Sequence, residues 1–307
     1  MTKQIRDINQ FLNEGKALQL VEVAEAAHQA QYQALIPFLT KGDVEVVCVA
    51  GPSSSGKTIF TNRLKNMLTE RNCPSMVLSM DDYFYDREEL KQDANGKYDF
   101  ETVETVNVGL FRKQLQALLN GEAVYLPHYN FFKGEKEYDT MPTKLPSKGI
   151  VFVEGIHALN YDAIFGTDWD KGHFGIYIAP QEVYVTESGL QIEPHQVRMV
   201  RRMVRDAYYR NCNMMQTLAM GESVRRGEEK WIFPFAKNAE FCFNSSLDYE
   251  LCVLKTFFLE QYEMLPEEAK QNMQAYLDKK ILEAWIALSA QVIPQASLLN
   301  EFIPRTS

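Results

Sequence analysis

The chain is poor in the features that mark secreted, membrane-spanning or nucleic-acid-coating proteins. Its five cysteines, Cys48, Cys73, Cys212, Cys242 and Cys252, are odd in number and scattered, with no C-x-x-C pair. That argues against a disulfide framework and against a zinc site. No run approaches the roughly 18 to 20 uncharged apolar residues that a bilayer span requires. Met1 to Lys16 is too polar for a secretory signal, so a cytoplasmic location is expected. Positive charge is in deficit: 32 Lys and Arg against 41 Asp and Glu leave a net charge of -9. A general nucleic-acid or anionic-membrane surface would reward the opposite balance, so neither partner is expected and any anion site must be local. Repeats, low-complexity segments and the guanine-reading N-K-x-D motif are also absent. What is present is 307 residues, 46% of them hydrophobic, enough for a substantial core.

Ile5 to Leu39 has helical spacing with a break near Pro37. From Val44 the texture changes. Val44 to Ala50 is a short β-branched run ending in Gly51-Pro52, the pattern of a buried parallel strand. Thr58 to Glu70 reads as helix, Ser75 to Met80 as a second strand, Val108 to Leu119 as helix and Val124 to Phe132 as an aromatic-rich extended stretch. Gly149 to Val153 is a third strand and His173 to Ala179 a weaker one; His195 to Arg210, Leu247 to Tyr262 and Pro266 to Leu288 have helical periods. The alternation predicts an α/β fold: a three-layer P-loop type with a mostly parallel sheet covered by helices on both faces, an arginine-bearing lid and terminal helices. In such sheets ligands sit at the carboxyl ends of strands. The chain divides into a helical segment over 1–40, a core over 41–255 that includes a lid at about 195–235, and a helical segment over 256–307.

Gly51-Pro52-Ser53-Ser54-Ser55-Gly56-Lys57-Thr58 fits G-x-x-x-x-G-K-[ST] between a strand and a helix, as the mechanism of that motif requires. Glycines let the loop curl its N–H groups inward, and the helix that follows adds its positive end. Gly51, Ser53, Ser54, Ser55, Gly56, Lys57 and Thr58 are therefore the expected ATP contacts. Lys57 would reach the β- and γ-phosphates, and the Thr58 hydroxyl would serve Mg2+, which demands oxygen ligands.

Two acidic residues end strands on the same edge of the sheet. Asp81 follows the second strand and is the expected general base, with Asp82 its rival; Glu154 follows the third and is expected to hold magnesium. On the helix from His195, the residues Arg198, Arg201, Arg202 and Arg205 fall within about 100° of one another. Met199, Val200, Met203, Val204 and Ala207 form the opposite stripe, which would pack the helix down and turn the arginines outward. Four like charges repel. Only Asp206 is near in sequence to compensate, so an anion is expected there, held by guanidinium groups of a closing lid. Arg225, Arg226 and Lys230 continue the same polar stretch.

Taken in order, Gly51 to Thr58, Ser79-Met80-Asp81-Asp82-Tyr83-Phe84, Pro127 to Phe131, Val153-Glu154-Gly155-Ile156-His157-Ala158-Leu159 and Arg201 to Asp206 resemble the phosphoribulokinase/uridine kinase family. The similarity runs from about Val44 to Lys255 and is nearest to bacterial uridine kinase-like nucleoside kinases, which also show stretches similar to Ser223 to Phe235 and Phe243 to Leu251. The resemblance implies that Asp81 is the catalytic aspartate, with Lys57, Arg201 and Arg205 serving the transferred phosphoryl group. It implies that Thr58 and Glu154 serve magnesium. It places Tyr98-Asp99 on the pair whose carboxylate binds ribose hydroxyls, and Tyr129 and Phe131 on the aromatics that flank the base; Phe84, Arg198 and Arg210 complete the substrate set. The implied partner is a small nucleoside-like substrate, with a homo-oligomer left open.

Three positions depart from the family pattern. Phe132-Lys133-Gly134-Glu135-Lys136 supplies neither the histidine nor the arginine that reads the pyrimidine. Arg210-Asn211 stands for an Arg-Gly, and Ile178-Ala179-Pro180 for an Asp-rich strand end. Ile5 to Leu39 faintly resembles the end of a threonyl-tRNA synthetase-like region that precedes the kinase in some bacterial relatives. Within it, His28 reads as a plain helix residue, because no second metal ligand lies nearby. The alternatives are a family kinase for another small alcohol, such as a sugar phosphate or a pantothenate-like compound, a non-catalytic P-loop nucleotide switch, and an RNA-associated factor.

Overall fold

In a computed structural model, which describes residues 2–90, 101–166 and 169–304, the centre is a five-stranded, all-parallel sheet. Its strands are β1 (Val46–Ala50), β2 (Ser75–Ser79), β3 (Ile150–Glu154), β4 (His173–Ala179) and β5 (Phe241–Asn244), in the spatial order β5-β4-β1-β3-β2. The α/β expectation thus holds. The alternating pleat sends successive side chains of one strand into two different cores. Val47 and Val49 of β1, with Phe152, Ile176, Ile178 and Phe243, face one. Val46, Cys48 and Ala50, with Leu78, Val151 and Val153, face the other. A strand buried on both faces must be apolar throughout, which is why β1 shows no polar alternation.

The helices used below are α1 (Ile5–Asn13), α2 (Ala17–Leu39), α3 (Lys57–Thr69), α4 (Val108–Leu119), α5 (Pro194–Tyr209), α6 (Met214–Trp231) and α7 (Glu250–Glu263). The N-terminal stretch breaks at Gly15, whose φ is +71°, and runs through Pro37 to end two residues later. Pro37 is tolerated because it sits in the last turn and forfeits a single N–H bond there. The stretch expected as one helix from Pro266 to Leu288 is two, Glu267–Tyr276 and Lys279–Glu283, because Leu277 is extended.

Several elements were not anticipated, β5 and α6 among them. The four-residue β5 is too short to show a period, and α6 carries Gly221 and Gly227 within a polar stretch. The helix starts instead from an Asn213–Gln216 capping box.

Packing is continuous across the boundaries drawn at 40 and 255. Tyr32 of α2 stacks on Phe60 of α3 and tilts against Phe243 of β5. The Gln31 side chain bonds both backbone groups of Asn244, satisfying the end of an edge strand. His28 pairs through Nε2 with the Ser246 carbonyl at 2.9 Å, a docking role rather than a metal site. Near the other terminus, Trp285, Leu298, Leu299 and Phe302 lie in the same core. Among the described residues no helix is long and apolar enough to cross a membrane, and all five cysteines are free thiols.

Candidate active site

The loop between β1 and α3 is shaped by two glycines that cannot be replaced cheaply. A Cβ on Gly51 would stand 2.0 Å from the Ile178 carbonyl oxygen, and Gly56 has φ +96°, which L side chains rarely adopt. Ser54 also lies in the left-handed region, with φ +58°. The Lys57 ammonium donates to the carbonyls of Gly51 at 2.9 Å and Pro52 at 3.3 Å, so it spans the mouth of the loop. The hydroxyls of Ser54 and Ser55 are buried with no hydrogen-bond partner among the described residues. Orphaned donors beside a helix N-terminus suit a multiply charged anion.

The arginine helix α5 does not face solvent as the sequence suggested. Arg198, Arg201 and Arg205 are buried, Arg201 completely. The reason is a set of acids distant in sequence. Glu250 takes Arg201 in a fork at 2.6 and 3.0 Å, and Glu228 takes Arg198 at 2.5 and 2.7 Å. The same guanidinium groups grip the loop from behind. Arg198 donates to the Ser53 carbonyl at 3.0 Å, and Arg201 to those of Ser54 at 3.3 Å and Ser55 at 3.4 Å. Arg201, expected to act on the phosphoryl group directly, is therefore committed to bracing the loop.

Positive charge remains in surplus further along α5. The buried Asp206 carboxylate serves Arg202 at 3.4 Å, Arg205 through Nε at 2.9 Å and Arg210 at 3.7 Å. One negative charge against three positive ones leaves the cluster net cationic. Arg210, more than half exposed in its side chain, reaches the field of Asp81. Its own pKa is lowered by burial and by the neighbouring Arg205.

On the opposite side of the loop stand the acids. In the sheet, Glu154 is paired with Val49 of β1 and Ser79 of β2, one residue short of the loop's own strand end. Asp81 lies in the turn Met80–Tyr83 that follows β2. Glu154 is buried; loss of solvent pushes its carboxyl up to about 8 against the pull of Lys57, and the Asp81, Glu301 and Asp82 charges add to the rise. Asp81 is open to water at the surface of its cleft yet walled by protein mass. That desolvation raises its pKa, opposed by Lys57 and then Arg210. The structure thus brings Lys57, Asp81, Glu154 and Arg210 into one electrostatic neighbourhood.

Asp82 is otherwise employed. Its Oδ1 accepts from the Tyr129 N–H at 3.2 Å and lies 3.8 Å from His128 Nδ1, tying the Pro127–Asn130 strand of a hairpin to the acid turn. That tether sets Tyr129 edge-on to Phe84 at 5.5 Å and to Phe131 at 5.0 Å. Tyr129 is buried and its hydroxyl has no partner among the described residues, while Phe131 is exposed. Lys136, bonded to Asp86 and to the Phe84 carbonyl, and Arg87, bonded to the Phe131 carbonyl, hold the hairpin in place. Tyr98 and Asp99 lie outside the described residues.

A cleft of about 720 Å³ opens behind the loop, lined by Pro52, Ser53, Arg198, Arg202, Arg225 and Tyr276. It holds neither Asp81 nor Glu154, so its size does not mark it as the place of reaction. Asp206 was read from the sequence as the one nearby compensating acid; missed were the distant acids that fix the arginines, Glu228 and Glu250. Their partners are named only by the folded chain.

Residues 46–251, two thirds of the chain, match the model of the phosphoribulokinase / uridine kinase family. The chain belongs to that family. A uridine kinase of Vibrio campbellii is 27% identical over 113 residues, 36% of this chain and 52% of that one. A uridine kinase of Borrelia duttonii is 24% identical over 222 residues, 70% of this chain and 94% of that one. This phosphoribulokinase/uridine kinase family member thus spans about half the length of the first of these relatives and most of the second. The structure of a possible uridine kinase from Bacillus stearothermophilus aligns over 71% of this chain and 98% of its own, with 18% identity and a TM-score of 0.46.

Proposed function

We propose that this family member is an ATP-dependent kinase that phosphorylates a hydroxyl of a nucleoside, with uridine or cytidine the nearest chemistry. The observation that carries the reading is the meeting of Lys57, Asp81 and Glu154 at the mouth of the loop, each within the others' field. Asp81 accepts the proton of the substrate hydroxyl as its oxygen attacks the γ-phosphorus, and the β–γ bridging oxygen departs with ADP. Lys57 and the cationic Asp206 cluster steady the negative charge on the transferred group. Phe131 offers an exposed ring, backed edge-on by the buried Tyr129, which itself packs edge-on to Phe84, next to the turn that carries Asp81, a surface suited to a flat base.

Magnesium fits the residues present. Thr58 and Glu154 would hold it, and its chemistry there is to neutralise phosphate charge. Among the described residues no group of three or more His, Cys, Asp or Glu forms a cage of its own, which suits an ion that keeps water and phosphate oxygens as ligands.

A panel of nucleosides and small alcohols with ATP, read as ADP release, tests the substrate. Failure of every alcohol would favour the nucleotide-switch reading. A second substrate reading, another small alcohol, is favoured by the segment after Phe131, where Phe132 is 89% exposed and no pyrimidine-reading histidine or arginine follows.

A further inference from the structure

The last described part of the chain returns to the loop from far along the sequence. Leu298 is seated on Gly56, where an added Cβ would meet its side chain at 2.5 Å. The Phe302 ring is fully buried under the Arg201 guanidinium, 5.1 Å from its centre. The Tyr209 hydroxyl donates to the Ile303 carbonyl at 2.6 Å. Between these anchors, Glu301 Oε2 lies 3.5 Å from the backbone nitrogen of Ile59.

Ile59 is the third residue of α3, and its N–H is one of the first-turn donors that an α-helix cannot satisfy internally. Those donors, with the orphaned hydroxyls of Ser54 and Ser55, are what the loop offers to a phosphate. A carboxylate takes one of them here. Its negative charge also reaches Glu154 across the mouth of the loop. The apolar neighbours Leu298, Leu299 and Phe302 are buried to 1% exposure or less and hold the segment in place, whereas Glu301 is only half-buried.

We propose that Glu301 is a built-in competitor of the nucleotide: its carboxylate occupies a phosphate-binding donor at the start of α3 and must swing away before a triphosphate seats fully. The inference rests on the nucleotide reading of the loop. It makes ATP affinity depend on a side chain that takes no part in the transfer.

The test is equilibrium binding of ATP, with and without magnesium, to the full chain and to its Glu301→Gln and Glu301→Lys variants. Removing the charge should tighten binding about tenfold, and reversing it should tighten binding further, in both metal conditions. Wild type binding as tightly as the variants, or more tightly, would overturn the proposal; a loss confined to the magnesium titration would make Glu301 a metal-side ligand instead. If none of the three proteins binds ATP, the nucleotide reading itself fails and takes the inference with it.

Discussion

The two sides of the phosphate loop carry charge in opposite ways. Behind it, on α5, the two guanidinium groups that grip the loop each have a carboxylate of their own: Arg201 has Glu250, and Arg198 has Glu228. In front of it, Asp81 and Glu154 have no ion-pair partner of comparable closeness among the described residues, and burial drives both carboxyls upward. A charge that is matched and forked is architecture, since breaking it leaves an uncompensated ion in the interior. A charge left unmatched in a cleft is held ready for a proton, a metal or a substrate. Within two residues the same contrast recurs: Asp82 is spent on Tyr129 and His128, and Asp81 has no such tether among the described residues.

The largest effect that would separate the two sides is at Asp81. Asp81→Asn keeps the shape and removes the base, so turnover should fall by about 10²- to 10⁴-fold. The melting temperature should stay within a degree or two of wild type. Unchanged phosphorylation would take the base assignment away from Asp81 and return it to Asp82.

Behind the loop the signature should be inverted. Glu250→Ala strands a fully buried guanidinium, and unfolding free energy should drop by about 3 to 5 kcal/mol in a urea titration. Replacing both partners, Arg201→Met with Glu250→Leu, should restore much of that stability. The double variant still lacks the donors to the Ser54 and Ser55 carbonyls, so ATP affinity should remain impaired after stability returns. Full recovery of ATP binding would mean that Arg201 braces nothing.

This difference also explains what could be read from the sequence. The loop, Asp81 and Glu154 were legible because their geometry is local: a buried strand ends, and whatever follows lies on the ligand edge of the sheet. Four arginines on one stripe of α5 were equally plain. Their direction was not, because it is set by Glu250, 49 positions from Arg201, and by Glu228, 30 positions from Arg198. Periodicity reports which residues share a face and is silent on what that face meets. Glu301 is the extreme case, 242 positions from Ile59 and without any motif around it. β5 was lost for a related reason: Phe241–Asn244 is a strand because β4 and Gln31 pair with it, with too few residues to show a period.

The brace side should also show its own response to acid. Burial, aided by Arg201 and Arg63 and opposed by the Ser246 carbonyl, lowers the His28 pKa to about 4. Below the unfolded value of 6.5 the unfolded chain takes up a proton that the folded chain refuses, so stability falls as pH drops from 6.5 toward 4. The loss should approach about 3 kcal/mol at the lower end. His157, also buried, is depressed to about 4 as well and adds to the loss, whereas Glu154, raised to about 8, opposes it; His28→Gln should therefore lessen the acid sensitivity seen in urea titrations without abolishing it. An unaltered pH profile in that variant would show that His28 is not held neutral.

The smallest effect probes the front of the loop again, at a group that folding leaves unmatched. The Tyr129 hydroxyl is buried without a partner among the described residues, so the folded protein gains nothing from it and bears the cost of its desolvation. Tyr129→Phe should therefore leave stability unchanged or raise it by up to about 1 kcal/mol. If the hydroxyl waits for the acceptor substrate, KM for that substrate should rise severalfold with turnover nearly constant, the pattern of an interaction made equally in ground and transition states. A fall in stability with KM unchanged would place the hydroxyl among the matched groups and move Tyr129 from substrate recognition to the packing of the hairpin.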